Sequence, residues 1–589
     1  MPPSRSAAEW RGQPSIRGSS EPARMILLTF SLIGLQLTWG LEQTYCTPYL
    51  LSLGMSKSTT SAVWIAGPLS GLLVQPIVGA LADRCTSRFG RRRPFMVAGS
   101  AVTALCLILL GWTKEIVGIV TDSKSVVIVT AVLSIYALDF AINVVQACCR
   151  SIIVDVLPTS QQQTGSAWAA RMSASGHVIG FLIGTLPLVD ILPPWLGGDT
   201  QFKKMCLVAI LGLFLAIGVT CYSVTERVLV AQGHEDATQS ITSVLTSLWS
   251  RIWNLPPRIQ QICWCQFWGW IGWFPFLFYS STWVGETYYR YEHPEQAGGS
   301  GTTNSDSLGN IGRLGSLSLV LFSIVTLISS VLLPYLVRKP EDESNHKSGS
   351  TTRKGRFTPR PPPSLGKEVQ KVLMRIYEST TISRYKPDLV TTWGLSNLAF
   401  AAIMVWAPFV TSLRFATTLV ALCGVPWAVS CWAPFAEMGL EINRLAHGGV
   451  GGAGTGVGEA MVRGGGYAAV RPSMDDDDDV EMEEAGRPNL LHAGREDSES
   501  GELAGIYLGV LNVYTTLPQF VGTAVSWVVF SLLEPGKNDG AAGEKEGDAG
   551  EGSKYLDTKG VNSIAVCLFI GAVCAVVAAE ATRRLRRMR

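Results

Sequence analysis

The sequence predicts an all-α polytopic membrane protein, with twelve transmembrane helices in two six-helix bundles and both termini cytoplasmic. Three observations predict this. Of 589 residues, 47% are hydrophobic and only 16% charged, against about 25% charged in an average soluble protein. Long apolar runs recur along the whole chain, and a spanning helix needs about 20 such residues. Lysine and arginine cluster between alternate runs, the asymmetry that marks cytoplasmic loops. The net charge of +2 averages loops on both sides of a bilayer. No basic domain stands out, so nucleic acid is not an expected partner.

The expected spans are 26–52, 60–82, 94–112, 126–156, 166–190, 204–224, 259–281, 314–337, 389–411, 415–438, 503–532 and 562–581. Residues 1–25 form a polar, Arg-containing tail. The first apolar run continues past any small-residue cleavage site, which reads as an uncleaved signal anchor. The first bundle covers 26–224, a central cytoplasmic linker 225–258, and the second bundle 259–581. The stretch 79–95, GALADRCTSRFGRRRPF, carries Arg84, Arg88, Arg91, Arg92 and Arg93. Placing it inside also places inside the basic region 353–375 and the basic tail 582–589. The opposite orientation strands nearly every basic cluster on the wrong side.

The long loops differ in composition. Within the internal loop 339–387, residues 339–366 are charged and rich in Ser and Pro. Within the internal loop 439–502, a Gly-rich stretch runs into the acidic 475–484. Such segments cannot bury enough apolar surface to fold, so they read as solvated spacers, or in the acidic case as a docking tail. Residues 533–561 form an external loop. Most of the 13 cysteines fall in apolar runs. They show no metal-ligand spacing, and the expected external loops hold none, so no structural disulfide is expected. Gly-x-Ser-x-Gly, His-Glu-x-x-His and phosphate-loop patterns are missing from the sequence, so no enzyme, catalytic residue, metal or cofactor is expected.

Charges inside spans carry the functional signal, because each costs about 2.5–3.5 kcal/mol at a helix centre on insertion scales. In the fourth span, Asp139, Asn143, Gln146 and Arg150 stand at i, i+4, i+7 and i+11. They project at about 0°, 40°, −20° and 20°, one narrow face. Polar glue between helices and a water-lined path both account for such a face; the path also accounts for its two opposite charges. Asp139 and Arg150 lie about 16 Å apart along the axis, so each needs a partner from elsewhere. Candidates are Glu42 in the first span, Arg171 and His177 in the fifth, Glu286 at the outer end of the seventh, Arg313 at the outer start of the eighth, and Glu437 near the inner end of the tenth. Trp268, Trp270 and Trp273 lie within the seventh span. They suit an interfacial belt, or a site where rings stack on a sugar beside carboxylate and guanidinium groups.

DRCTSRFGRRRP (83–94) resembles the loop between helices two and three of the sucrose–proton symporters of plants and fungi, the sucrose and α-glucoside branch of the glycoside–pentoside–hexuronide:cation symporters in the major facilitator superfamily. It contains that superfamily's loop signature at Gly79, Asp83, Arg84, Gly90, Arg91 and Arg92. LDFAINVVQACCRSIIVDVLP (138–158) is similar to the family's fourth-helix pattern, with Asp139, Asn143, Gln146, Arg150 and Asp155 in register. WFPFLFYSSTWVGE (273–286), GRLGSLSLVL (312–321) and LGVLNVYTTLPQ (508–519) resemble its seventh, eighth and eleventh segments. Glu42 stands where plant members usually have Gln, which is similar to the animal and fungal branches.

The resemblance implies the major facilitator fold and proton-coupled uptake of sucrose, with maltose or other α-glucosides as further substrates. It implies that Asp139 binds proton and sugar, that Arg150 is a charge partner required for coupling, and that Arg313 matters. It also implies that Asp83 and the arginines of its loop work a cytoplasmic gate. A passive sugar facilitator and a non-transporting sugar sensor are the alternatives. The expected state is a monomer in the lipid bilayer, in the plasma membrane or else the vacuolar membrane, with the proton as coupling ion.

Overall fold

The computed structural model describes residues 9–193, 196, 198–231, 255–293, 307–338, 386–447, 490–533 and 561–588. The helices are α1 (Glu21–Ser52), α2 (Lys57–Val63 and Ala66–Asp83), α3 (Arg93–Gly111), α4 (Lys124–Val156), α5 (Thr159–Thr185) and α6 (Gln201–Ser223). They continue with α7 (Pro257–Thr287), α8 (Ser307–Leu336), α9 (Leu389–Met404), α10 (Leu413–Leu422 and Gly424–His447), α11 (Leu490–Leu533) and α12 (Ser563–Arg587).

Local chemistry sets many of these boundaries. Ser20, Ser56, Thr200, Ser412 and Asn562 stand at N-caps, where each side chain accepts a hydrogen bond from an N–H of the first turn. α4 stops where Leu157 turns extended before Pro158, as a residue preceding proline prefers. Among the described residues, ten helices are long and apolar enough to cross a membrane. The expected fifth and seventh spans, α5 and α7, are helices of 27 and 31 residues but fall outside that set. α5 carries Gln161, Gln162, Gln163, Arg171 and His177, and α7 spends much of its length on Trp, Tyr and Ser.

Helix packing repeats with an offset of six. α1 packs on α5 and α6, and α7 packs on α11 and α12. α4 packs on α2 and α3, and α10 packs on α8 and α9. α3 meets α6 as α9 meets α12. Two of the interfaces between the bundles, α2 with α11 and α5 with α8, exchange under the same shift. This is the signature of two structural repeats facing each other across a central path.

Helices in lipid gain little from hydrophobic burial and approach through small residues. α7 and α12 touch backbone to backbone, where a Cβ on Gly272 would lie 2.6 Å from the Gly571 carbonyl oxygen. Within the first bundle, Gly34 of α1 sits against Ala216 and Gly212 of α6.

The all-α expectation misses a small strap. β1 (Glu9–Arg11) pairs antiparallel with β4 (Val228–Ala231), and β2 (Ser15–Ile16) with β3 (Val224–Thr225). The segment after α6, VTERVLV, is rich in β-branched residues suited to strands, although its position between the bundles reads as linker. Helix also extends into the expected loop 439–502, since α10 runs to His447 and α11 begins at Leu490. The remainder of that loop, residues 339–385 and 534–560, and 232–254 of the linker lie outside the described residues.

Leucine at Gly272 is expected to lower the melting temperature in detergent by several degrees, since overpacking costs about 1–3 kcal/mol. Gly67→Ala, where a Cβ meets open space, should leave it unchanged or raise it. Equal melting of the two variants contradicts the close α7–α12 contact.

Candidate functional site

The polar face of α4 divides along its length. Asn143 is buried as glue: its Nδ2 donates to Ser70 Oγ at 2.9 Å and to the Asp139 carbonyl at 2.9 Å, and its Oδ1 accepts from Gln75 Nε2 at 3.4 Å. Gln146 Oε1 accepts from Trp39 Nε1 at 3.2 Å. Arg150 is exposed. Asp139 is 0% exposed and meets Glu42 of α1, itself 1% exposed. Among the described residues, none donates a hydrogen bond to any of the four carboxyl oxygens.

Glu42 opens a π-helical turn, Glu42–Cys46, a distortion frequent at functional sites. Its cause is local. Pro48 has no N–H to give the Thr44 carbonyl, so the regular ladder fails there. Within the turn, Tyr45 donates from its hydroxyl to the Gly184 carbonyl of α5 at 2.6 Å. The Tyr45 ring covers Gly312 of α8, where a Cβ would lie 2.2 Å from it.

The bundles close together on one side of this pair. Ser281 of α7 donates to the Gln43 carbonyl at 2.7 Å, and Thr47 to the Phe278 carbonyl at 3.4 Å. Arg313 Nε donates to the Thr185 carbonyl at 3.3 Å. Lys57, at the start of α2, donates to both oxygens of Glu286 at 2.9 and 3.0 Å, and Arg290 joins at 3.0 Å. All three side chains of this ionic latch are buried.

At the other end, here called the basic face, ion pairs brace each bundle separately. Arg91 grips Asp155 at the end of α4 through two bonds of 2.5 and 3.1 Å, and Arg92 Nε adds a third at 2.8 Å. The Glu226 carboxylate accepts the backbone N–H groups of Arg91, Arg92 and Arg93 at 2.8, 2.8 and 3.0 Å. A carboxylate at a helix N-terminus satisfies orphan donors and meets the positive end of the dipole. Gly90 reaches this geometry with φ of 101°, and a Cβ there would strike Glu226 at 2.8 Å. In the second bundle, Arg258 of α7 holds Glu437 at 2.9 Å and Glu441 at 2.8 Å.

Several sequence expectations are corrected here. Glu286 and Glu437 meet cations of their own, so neither partners Asp139 or Arg150. Arg171 lies over Trp168 of its own helix, 5.1 Å from the ring centroid, and His177 stacks on Phe181. Trp273 is 2% exposed and packed among Phe276, Phe400 and Trp427, which is core and no ring platform. Trp270 is half-buried, edge-on to Trp427. Arg92 donates to the Gly79 carbonyl at 3.4 Å. Arg84 is exposed, and the side chain of Asp83 lies outside the described residues. Sequence reasoning missed Lys57, Arg258, Glu226 and Glu441. Each sits at a helix end or in a loop, where a charge reads as ordinary solvation.

The latch can be tested. Glu286→Gln leaves Lys57 and Arg290 facing a neutral amide, and breaking a buried pair costs about 3–5 kcal/mol. Labelling of a cysteine placed at Ser281 by an impermeant maleimide should rise by about tenfold or more. Glu115→Gln, which removes an exposed pair with Lys203, should leave labelling unchanged. Equal labelling in both variants contradicts the latch.

The family described as MFS/sugar transport protein matches residues 29–254. The general alpha-glucoside permease of Schizosaccharomyces pombe is 36% identical over 459 residues, 72% of this chain and 80% of that protein. Sucrose transport protein SUC4 of Arabidopsis thaliana is 30% identical over 343 residues, 54% of this chain and 64% of its own length. Sucrose transport protein SUT5 of Oryza sativa subsp. indica is 29% identical over 347 residues, 55% and 63%. The chain thus spans just under two thirds of these plant relatives. Among solved structures, a mutant of the nucleoside transporter NupG superposes with a TM-score of 0.52 at 10% identity, covering 95% of this chain and 99% of that one. A bacterial homolog of the human lysosomal transporter Spinster gives 0.50 at 12% identity, covering 97% and 98%. These two likenesses show the fold alone. The named relatives are permeases and transporters, not enzymes. The chain therefore belongs to the sucrose and α-glucoside transporter family of the major facilitator superfamily, as a fungal-type, multi-pass sugar transporter.

Proposed function

We propose that this chain is a proton-coupled symporter of sucrose and related α-glucosides such as maltose, working by alternating access as a monomer. It has twelve spans, with α5 and α7 completing the two bundles, and its basic face is cytoplasmic. The Lys and Arg of that face support the orientation. The contacts at the opposite face make this an outward-closed state, with exposed Arg150 on the side of the cytoplasm. The names of the relatives support the substrate class.

One observation carries the coupling. Asp139 and Glu42 come from different helices, lie together out of water and receive no hydrogen bond from the described residues around them. Two carboxylates in contact cannot both stay ionised there, so the pair retains a proton when the outer face closes. An outward opening that parts the bundles at Gln43 and Thr47 would hydrate the neighbouring Glu42 and exchange that proton with the outside. Neutralised Asp139 can then donate to a sugar hydroxyl. Arg150, further along the same helix face, and half-buried Trp270 are the proposed sugar-contacting groups. The loop of Asp83, Arg84, Arg91 and Arg92 forms the cytoplasmic gate. In this state Arg91 and Arg92 are held by Asp155, and closing the inner face would redistribute those bonds.

The driving force suffices. One proton crossing 100 mV supplies about 2.3 kcal/mol, and one pH unit about 1.4 kcal/mol. Together they support a sugar gradient of several hundredfold at one-to-one coupling.

Uptake of radiolabelled sucrose into proteoliposomes under an imposed proton gradient tests the reading. Asp139→Asn should abolish accumulation while retaining sugar exchange down its gradient. Continued accumulation in this variant means that Asp139 is not the coupling site. Glu42→Gln should keep accumulation but alter its pH dependence, since Asp139 then titrates without its neighbour. An unchanged pH profile means that the two carboxyls do not act as a pair.

A further inference from the structure

Between α9 and α12, toward the basic face, lies a cavity of about 290 Å³. Its walls are apolar, with Val390, Leu395 and Leu398 on α9 and Val576 and Ala579 on α12. One close contact shapes it. Gly394 brings α9 so close that a Cβ there would lie 3.0 Å from Thr582 Oγ1. Leu395, Leu398 and Val576 stay exposed on the outer surface of the helices.

The mouth is different. Arg583 and Arg586 border it, and Arg584 and Arg587 follow on the last turn of α12. The acids in reach are Glu580, bound by Arg583 at 2.6 and 2.9 Å and by Arg584 at 3.5 Å, and Asp388, 3.9 Å from Arg586. Asp388 also accepts from Thr391 Oγ1. Three arginines therefore meet two carboxylates, with Arg587 a further cation on the same turn, and the side chains of Arg583, Arg584 and Arg586 are largely exposed. An apolar slot opening to the membrane under a cationic rim matches a molecule with an anionic head and a hydrocarbon tail.

We propose that this slot between α9 and α12 binds one anionic phospholipid, with its phosphate and headgroup on Arg583 and Arg586 and part of an acyl chain in the cavity. Bidentate donors favour phosphate oxygens, and the buried methylenes retain the lipid beyond the lifetime of a surface ion pair. The leaflet involved follows the cytoplasmic orientation proposed above, and that leaflet carries the anionic lipids. The slot itself needs neither that orientation nor proton coupling, so a failed lipid test leaves the transport reading standing, and the reverse.

The test uses the full chain in detergent, with lipids retained under gentle native mass spectrometry. Dioleoyl phosphatidylserine is compared with dioleoyl phosphatidylcholine. Retention of one phosphatidylserine should exceed that of phosphatidylcholine by about tenfold or more. Arg583→Gln with Arg586→Gln should remove this preference, and the lipid-free melting temperature should stay the same because both side chains are exposed. Ala579→Trp, which fills the slot and keeps the arginines, should also lower retention. Equal retention of the two lipids overturns the proposal, as does a preference that survives the double substitution. Displacement by inorganic phosphate at millimolar concentration overturns it in favour of a plain anion site.

Discussion

A pair of carboxyl groups, one from each of two helices, is buried with no donor among the described residues turned toward it. Protein interiors tolerate such groups only where function requires them. α1 breaks its ladder at Pro48 and turns Glu42 inward. α4 holds Asp139 one turn above Asn143, which is fixed to α2 through Ser70 and Gln75. Tyr45, in the same π-helical turn as Glu42, packs on Gly312 of the other bundle.

The distribution of ionic contacts follows from the same constraint. At the opposite face, Lys57 and Glu286 join different bundles in a buried ion pair. At the basic face, ion pairs brace each bundle from within: Arg91 and Arg92 on Asp155 in the first, Arg258 on Glu437 and Glu441 in the second. Buried charge between bundles opposes their separation, whereas charge within a bundle stiffens it as a rigid body. One face is therefore latched while each half keeps its own shape. Glycine contacts such as Gly272 on Gly571 give those halves close internal packing.

Much of this is legible in the sequence. Span positions follow from apolar length, and the polar face of α4 follows from the helical period. What periodicity cannot give is the partner across space. It places Asp139, Asn143, Gln146 and Arg150 on one face, but does not tell that Asn143 is consumed as glue while Asp139 is not. Glu42 is one of several candidates in the sequence, and only tertiary packing selects it. Trp273 shows the limit of residue type, since an aromatic ring suits a core as well as a sugar platform. Lys57 and Arg258 are illegible because a cation at a helix end is ordinarily solvated, and their burial comes from a neighbour far along the chain. The strap of β1–β4 joins segments more than 200 residues apart in sequence, beyond any local signal.

The most direct measurement is infrared spectroscopy of the purified protein at neutral pH, read in the region of protonated carboxylic acids. A proton held between Asp139 and Glu42 predicts a carbonyl band in the unmodified protein. That band should shift when either residue is replaced by its amide and vanish when both are. A spectrum identical in the unmodified protein and the Glu42→Gln/Asp139→Asn double variant would contradict a proton stored between these helices.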